Sequence, residues 1–322
     1  MSERIATFGH DGLRFDVTDA GPLDGEVVVL LHGFPQTSTS WDRVTPLLNE
    51  QGFRTLAPDL RGYSPGARPR GRRAYRTELL VGDVAALLEE VGRPAHLVGH
   101  DWGAAVSWSV AVAHPEKLRS HTSVSVPHPA AFVRSMGSSS QLVHSWYMGF
   151  FQLPFVPELL LSRFPRIFHV ALSRAGMDRD LRERTWREMI DGGALRGGLG
   201  YYRALPFSAG SLGGRCRVPT THVWSTEDIA LTRKGAELCE RYVAAPYRLE
   251  VIEGASHWIP DQHPQELARF ILERALAWRH RVLASGRDRG NEGIRMSERQ
   301  RVNEGARVRS RAYGCFFEGV IA

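Results

Sequence analysis

The stretch AHLVGHDWGAAVSWSVAVA, residues 95–113, decides the fold of this chain. It begins with an apolar run typical of a buried strand and ends with small and apolar residues typical of a helix. Between them, Gly99-His100-Asp101-Trp102-Gly103 has a glycine two positions before and two positions after an acidic residue. Glycines at those positions permit a sharp turn and close packing of the helix on the strand. The pattern therefore predicts a strand, a tight turn and a helix, with Asp101 at the turn.

Asp101 is the first candidate for a chemical role. A carboxylate with a reference pKa of about 3.9 is almost wholly ionised at neutral pH, so it needs no neighbouring base to become a nucleophile. It is a weak nucleophile toward amides and esters, and it suits displacement at a strained or activated saturated carbon, as in an epoxide or an alkyl halide. The alternative is an aspartate that only caps the following helix.

Composition narrows the class of protein. The chain has 322 residues, is 43% hydrophobic and carries a formal charge of +6, which indicates an enzyme-sized unit with a substantial core. Its basic residues are nearly all arginines, since the lysines are Lys117 and Lys234. No G-x-G-x-x-G, Walker loop or H-E-x-x-H motif occurs. We therefore expect no nucleic-acid partner, no metal and no organic cofactor.

Cysteine usage and the ends of the chain bear on location. Cys216, Cys239 and Cys315 are widely spaced and form no C-x-x-C pair, which argues against a disulfide framework or a zinc site. The N-terminal sequence lacks the order of a signal peptide, and no apolar stretch approaches about 18 residues. We expect a cytoplasmic protein without a membrane span; a homodimer is compatible with the sequence.

The order of strand-like and helix-like segments predicts an α/β fold. Apolar runs alternate with amphipathic segments, which is typical of a mostly parallel central sheet flanked by helices. From residue 129 to 211 the pattern changes to aromatic-rich amphipathic segments without clear strands. We expect a sheet domain formed by residues 1–128 and 212–285, with residues 129–211 inserted as a helical cap. Residues 286–322 have low hydrophobicity and no period, so we expect a disordered basic tail.

Two loops supply partners for Asp101. A hydrolase that forms an ester on Asp101 needs a base for water and an acid to orient that base, in the chain order nucleophile, acid, histidine. The strand THVWST is followed by Glu227 and Asp228, and the strand RLEVIEG is followed closely by His257. Asp228 would hold the imidazole of His257 in the useful tautomer. Glu227 is the rival acid.

The segments HGFP (32–35), DLRGYS (59–64) and GHDWGA (99–104), together with the Asp228 and His257 loops, resemble the epoxide hydrolase and haloalkane dehalogenase branch of the α/β-hydrolase fold. The resemblance covers about Ile5 to Leu283. It implies a covalent alkyl ester on Asp101 that water activated by His257 and Asp228 cleaves. It also implies an oxyanion hole formed by the backbone N–H groups of Phe34 and Trp102.

The resemblance further implies two proton donors in the cap. Tyr147 lies in SWYMGFFQ, and Tyr202 lies in GYYR, two segments that resemble those in which epoxide hydrolases carry the tyrosines that bind the epoxide oxygen. Tyr201 should face elsewhere, because consecutive helical residues are about 100° apart. A haloalkane dehalogenase would instead need N–H donors for a halide; Trp102 could serve, but Phe34 stands where that group usually has Asn. A third alternative is a ligand-binding protein of this fold without turnover.

The aromatic residues of the cap indicate an apolar pocket for a small apolar epoxide, which reacts with water. The residues expected to line it are Trp146, Phe150, Phe151 and Trp258.

Overall fold

The computed structural model describes residues 3–208 and 213–278 of the chain. The chain divides into a large unit, Met1–Ala275, and a second unit, Leu276–Ala322. Only residues 276–278 of the second unit are described, so the expected tail of residues 286–322 lies outside the described residues.

An eight-stranded sheet runs through the large unit in the order β1-β2-β4-β3-β5-β6-β7-β8. The strands are β1 Thr7–His10, β2 Leu13–Ala20, β3 Glu26–Leu31, β4 Phe53–Pro58, β5 Ala95–His100, β6 Leu118–Val124, β7 Thr220–Ser225 and β8 Tyr247–Ile252. The pairs of β1 with β2 and of β2 with β4 are antiparallel, and all later pairs are parallel. This sheet confirms the predicted α/β class.

Both faces of the sheet are covered because its central strands are apolar on both sides. Alternate side chains point to opposite faces of a strand: Val27, Val29 and Leu31 of β3 join one core cluster, whereas Val28 and Leu30 join the other. The helices that lie between the strands or after the last strand are α1 Thr45–Glu50, α2 Thr77–Val91, α3 Trp102–Ala113, α11 Arg233–Leu238 and α12 Ile259–Gln262. A last helix begins at residue 264. The sequence favours one helix over Ser40–Glu50, but the structure has a 3-10 turn at Ser38–Trp41 and then α1. Pro46, in the first turn of α1, has no N–H to continue a preceding helix.

Helices replace strands between β6 and β7. The described residues there form α4 Pro129–Met136, α5 Gln141–His144, α6 Trp146–Phe151, α7 Val156–Arg163, α8 Pro165–Arg174, α9 Arg179–Trp186 and α10 Leu195–Ala204, with a π-helical turn at Arg187–Asp191. We call residues 129–208 the helical insertion. These helices begin at residue 129, where the sequence changes from strand-like runs to aromatic-rich amphipathic segments. The role of the insertion as a cap remains a prediction.

Within the part of the chain that the structure describes, Cys216 and Cys239 are both buried with free thiols. No described helix combines the length and the apolar character that crossing a bilayer requires.

Candidate active site

The turn at Asp101 is sharp and strained. Asp101 joins β5 to α3 with φ of 51° and ψ of −119°, a backbone conformation that residues other than glycine rarely adopt. A Cβ on Gly99 would lie 2.2 Å from the carbonyl oxygen of Gly103, and a Cβ on Gly103 would lie 2.2 Å from that of Leu31. The two glycines of the motif therefore allow α3 to pack against β5 and β3 while Asp101 stands at its N-terminus.

The structure brings Asp101, Asp228 and His257 together at the carboxyl ends of three strands. The Nδ1 of His257 lies 2.7 Å from Oδ2 of Asp228, and its Nε2 lies 3.6 Å from Oδ2 of Asp101. The other oxygen of Asp228 accepts the N–H groups of Ala230 and Leu231, which holds the carboxylate in place. Glu227, the rival acid, is exposed.

The two carboxylates control the charge of His257. Burial alone lowers the pKa of this imidazole, but the negative charges of Asp228 and Asp101 outweigh it and raise the pKa to about 10. Burial raises the pKa of Asp101, but the nearby His257 reverses that effect, so the pKa of Asp101 is lowered overall. The site therefore rests as an ionised Asp101 beside a protonated His257.

Backbone N–H groups act on the carboxylate of Asp101. The N–H of Phe34 donates to Oδ1 at 2.7 Å, and the backbone N–H of Trp102 also lowers the pKa of this carboxyl group. Gly33 makes the first contact feasible, because a Cβ at that position would lie 2.4 Å from Cβ of Asp101. The two N–H groups named from the sequence thus converge on one carboxylate.

The two tyrosines of the insertion face the same carboxylate. The rings of Tyr147 and Tyr202 lie 6.0 Å apart at a steep angle, and Tyr202 packs edge-on against Trp102 and Phe34. Burial is the main cause that raises the pKa of both phenols well above the ordinary range, and the negative charge of Asp101 is the second cause. Both hydroxyls therefore keep their protons. Tyr201 faces away, and its hydroxyl donates to the carbonyl oxygen of Arg61 at 2.8 Å.

A cavity of about 290 Å³ reaches Asp101 and the two tyrosines. Its described lining includes Asp101, Trp102, Tyr147 and Tyr202, and apolar walls come from both the sheet domain and the insertion: Leu80, Ala105, Val106, Val126, Phe132, Val133, Met136, Met148, Leu205 and Leu231.

The four aromatic residues expected to line the pocket do not line this cavity within the described chain: Trp146, Phe150, Phe151 and Trp258. Trp146 is 71% exposed, because α6 turns that side of the helix to solvent. Phe151 packs behind Tyr202 at a centroid distance of 4.9 Å. Trp258 is buried below His257, and its indole donates to the carbonyl oxygen of Ala175.

Two groups of residues that sequence reasoning missed hold the loops of the candidate site. The Nε2 of His100 lies 2.9 Å from the carbonyl oxygen of His257, so the residue before Asp101 fixes the loop of the histidine. The buried Asp261 accepts from the amide of Gln36 and from Arg184 of the insertion. His100 stood within the quoted motif, but nothing in the pattern distinguished it; Asp261 gave no signal at all.

Comparisons with known proteins agree with this geometry. Residues 28–270 match the alpha/beta hydrolase family. Epoxide hydrolase 3 of Xenopus tropicalis is 33% identical over 81% of this chain and 74% of its own length. The AB hydrolase superfamily protein YfhM of Bacillus subtilis is 33% identical over 82% of this chain and 94% of its own. The crystal structure of epoxide hydrolase A from Mycobacterium thermoresistibile has a TM-score of 0.72 at 26% identity and covers 85% of this chain and 97% of its own.

The fold and the family match define the chain as a member of the alpha/beta hydrolase family. Within that family it belongs with the epoxide hydrolases, as the sequence motifs predict.

Proposed function

We propose that this protein opens a small apolar epoxide to a vicinal diol, with Asp101 as the nucleophile and a covalent alkyl ester as the intermediate. The observation that carries the proposal is the arrangement around one carboxylate: Asp101 Oδ2 lies near His257, Oδ1 is held by backbone N–H, and two protonated phenols face the same cavity.

In the first step Oδ2 of Asp101 attacks a ring carbon, and the bond between that carbon and the epoxide oxygen breaks. The alkoxide that forms has a conjugate acid about as weak as water, pKa roughly 15.7. Tyr147 or Tyr202 donates its proton to this oxygen, and the second phenol donates a hydrogen bond. The high pKa of both phenols keeps them protonated until the alkoxide develops.

Ester formation then changes the state of His257. The ester of Asp101 is neutral, so one of the two charges that raise the pKa of His257 disappears and its pKa falls. The proton that His257 releases offsets the proton that the phenol has given up. The neutral imidazole, still oriented by Asp228, is then a base for water.

In the second step His257 accepts a proton from water, and the hydroxide adds to the ester carbonyl. The negative charge develops on the oxygen that Phe34 N–H already contacts, and Trp102 N–H is the second donor. The intermediate collapses, the carboxylic acid passes its proton to the departing alkoxide, and the diol leaves. Asp101 is again ionised and His257 is again protonated.

The cavity supports an apolar substrate. Its volume of about 290 Å³ and its mostly aliphatic and aromatic walls suit an uncharged epoxide with a small aryl or alkyl group. The insertion contributes both tyrosines and part of these walls, which supports its role as a cap over residues 129–211.

Single-turnover reaction with styrene oxide in heavy-oxygen water tests the proposal. The oxygen of the first diol should come from Asp101, so the first product should lack the heavy isotope at the attacked carbon. Asp101→Ala should form no diol, whereas Asp24→Ala, at an exposed position, should behave as wild type. Heavy oxygen in the first diol, or full activity of Asp101→Ala, would contradict the covalent route.

The same protein should be offered 1-bromobutane. We expect little halide release, because Phe34 stands where haloalkane dehalogenases usually have Asn. Rapid halide release with inert epoxides would instead support a haloalkane dehalogenase, and tight binding without turnover of either compound would support a ligand-binding protein.

A further inference from the structure

A second cavity, of about 370 Å³, lies on the other side of α10 from the reaction site. Its walls are the loop of residues 68–72, the segment of residues 154–158 and the outer face of α10. None of its described lining residues lines the reaction cavity. It is therefore a separate site, to which the proposed reaction assigns no role.

The charge of this cavity is strongly positive. Five arginines line it, against a single carboxylate: Arg68, Arg70, Arg72, Arg196, Arg203 and Glu158. Arginine is abundant throughout this chain, so its presence on a surface would not by itself indicate a ligand. The distinguishing feature is that five arginines from two segments far apart in the chain line one cavity.

Two of these arginines are held in place by hydrogen bonds within the chain. Arg203 donates to both carboxylate oxygens of Glu158, at 2.5 and 2.8 Å, and to the carbonyl oxygens of Phe151 and Leu153. The positive charge of Arg203 is therefore balanced by Glu158, the single carboxylate in the lining. Arg68 donates to the carbonyl oxygens of Tyr63 and Gly192. These contacts orient the guanidinium group without neutralising its charge.

The other three arginines form no direct pair with a carboxylate of the described residues. In residues 3–208 and 213–278, Arg70, Arg72 and Arg196 form no ion pair within 4 Å, and all three are exposed. Their guanidinium groups, together with the charged Arg68, leave four positive charges at one volume. A ligand that binds there gains most if it carries more than one negative charge and several acceptor oxygens.

The rest of the lining is largely apolar. Phe155 is 76% exposed, whereas Gly197 and Gly200 are buried because α10 packs there against Gly62 and the ring of Tyr75. Tyr75 forms the inner wall. An aromatic or apolar group can therefore lie against these residues while its anionic end reaches the arginines.

We propose that this cavity binds an organic phosphate monoester whose remaining part is aromatic or apolar. A phosphate monoester carries a charge of about −1.5 to −2 at pH 7 and three acceptor oxygens, which matches several unpaired guanidinium groups better than one carboxylate does. The assignment is independent of the epoxide chemistry, because it concerns binding alone.

Titration calorimetry with phenyl phosphate tests the proposal, with inorganic phosphate and benzoate as comparison ligands. We expect saturable binding of phenyl phosphate, weaker binding of inorganic phosphate because it lacks the ring, and weaker binding of benzoate because it carries a single charge. The double variant R70Q/R196Q should weaken phenyl phosphate binding about 10-fold or more, since hydrogen bonds between charged groups are among the strongest in proteins.

The matched control is R163Q/R166Q, which removes the same charge at exposed positions outside the cavity. It should bind phenyl phosphate as the wild type does, and both double variants should keep wild-type turnover of styrene oxide. No saturable binding up to about 10 mM, far weaker than specific sites usually show, would overturn the proposal. So would equal weakening in both double variants, or benzoate binding as tightly as phenyl phosphate.

Discussion

Asp101 and His257 face each other across 3.6 Å between Oδ2 and Nε2. This separation is longer than a hydrogen bond, so the two groups attract each other mainly as charges. The other side of the imidazole forms a 2.7 Å hydrogen bond with Asp228. His257 is thus oriented by one carboxylate and charged by both. In the proposed mechanism only the orienting carboxylate, Asp228, keeps its charge when Asp101 becomes an ester.

Replacement of the base should separate the two half-reactions. In His257→Gln, Asp101 can still attack, but no side chain can take a proton from water. We expect ester hydrolysis to slow about 10²- to 10⁴-fold, so that the protein gains the mass of one substrate molecule in intact-protein mass spectrometry. The control His114→Gln, at a partly exposed position, should show rapid turnover and no added mass. An unmodified His257→Gln protein without diol formation would contradict this role.

Acid should make the same ester accumulate in the wild type. The pKa of Asp101 is lowered, so attack persists at low pH. The pKa of His257, raised to about 10 in the free enzyme, falls when Asp101 loses its charge, and the hydrolytic step requires the neutral imidazole. Hydrolysis should therefore slow as the pH falls through the pKa of His257 in the ester. Quenched single turnovers across about pH 5 to 9 measure the ester fraction, and a fraction that rises with pH would refute the assignment.

The neighbouring tyrosines of α10 provide a matched pair for ring opening. Tyr202→Phe keeps the packing against Trp102 and Phe34 but removes a proton donor, so the rate of ester formation should fall about 10²-fold or more. Tyr201→Phe should leave that rate unchanged and lower stability by about 1 kcal/mol, because its hydroxyl bonds to Arg61 instead. Stopped-flow fluorescence and urea unfolding separate the effects. Equal rates of ester formation in the two variants would count against Tyr202.

Buried histidines should make the fold sensitive to acid. Burial is the main cause that lowers the pKa of His121 to about 3 and those of His128 and His222 to about 4. The unfolded chain binds these protons from about pH 6.5 downward and the folded chain does not, so stability rises with pH over this range. Each histidine should lower the free energy of unfolding by about 1.4 kcal/mol per pH unit below 6.5, until its own folded pKa is reached.

Urea unfolding between about pH 7 and 5 measures this slope. His222→Gln, which removes a buried imidazole whose Nε2 has no partner in the described chain, should reduce the slope, whereas His114→Gln should keep it. A free energy of unfolding that does not change with pH would show that the histidines are not neutral when folded.

The chain order of the motifs predicted much of the site. Asp101, Asp228 and His257 each follow a strand of a parallel sheet, and the carboxyl ends of such strands meet at one edge, so their proximity followed from local patterns alone. The 100° spacing of helical residues also separated Tyr202 from Tyr201. These inferences succeeded because short-range geometry decides them.

Other features depended on packing between distant segments. Trp146 and Phe150 were apolar residues near Tyr147, but composition does not show which side of a short helix meets the sheet domain. Arg70 and Arg196 are far apart in the chain, and only the position of α10 brings them to one cavity. The link from Gln36 through Asp261 to Arg184 is equally long-range.

The bond from Phe34 N–H to Oδ1 of Asp101 distinguishes the two carboxylate oxygens. In the proposed mechanism Oδ1 keeps this bond, whereas Oδ2 leaves in each diol and is replaced from solvent. Unless the carboxylate rotates between turnovers, Oδ1 is never exchanged. After many turnovers in heavy-oxygen water the enzyme should therefore retain an isotopic memory, with one heavy oxygen in Asp101 rather than two.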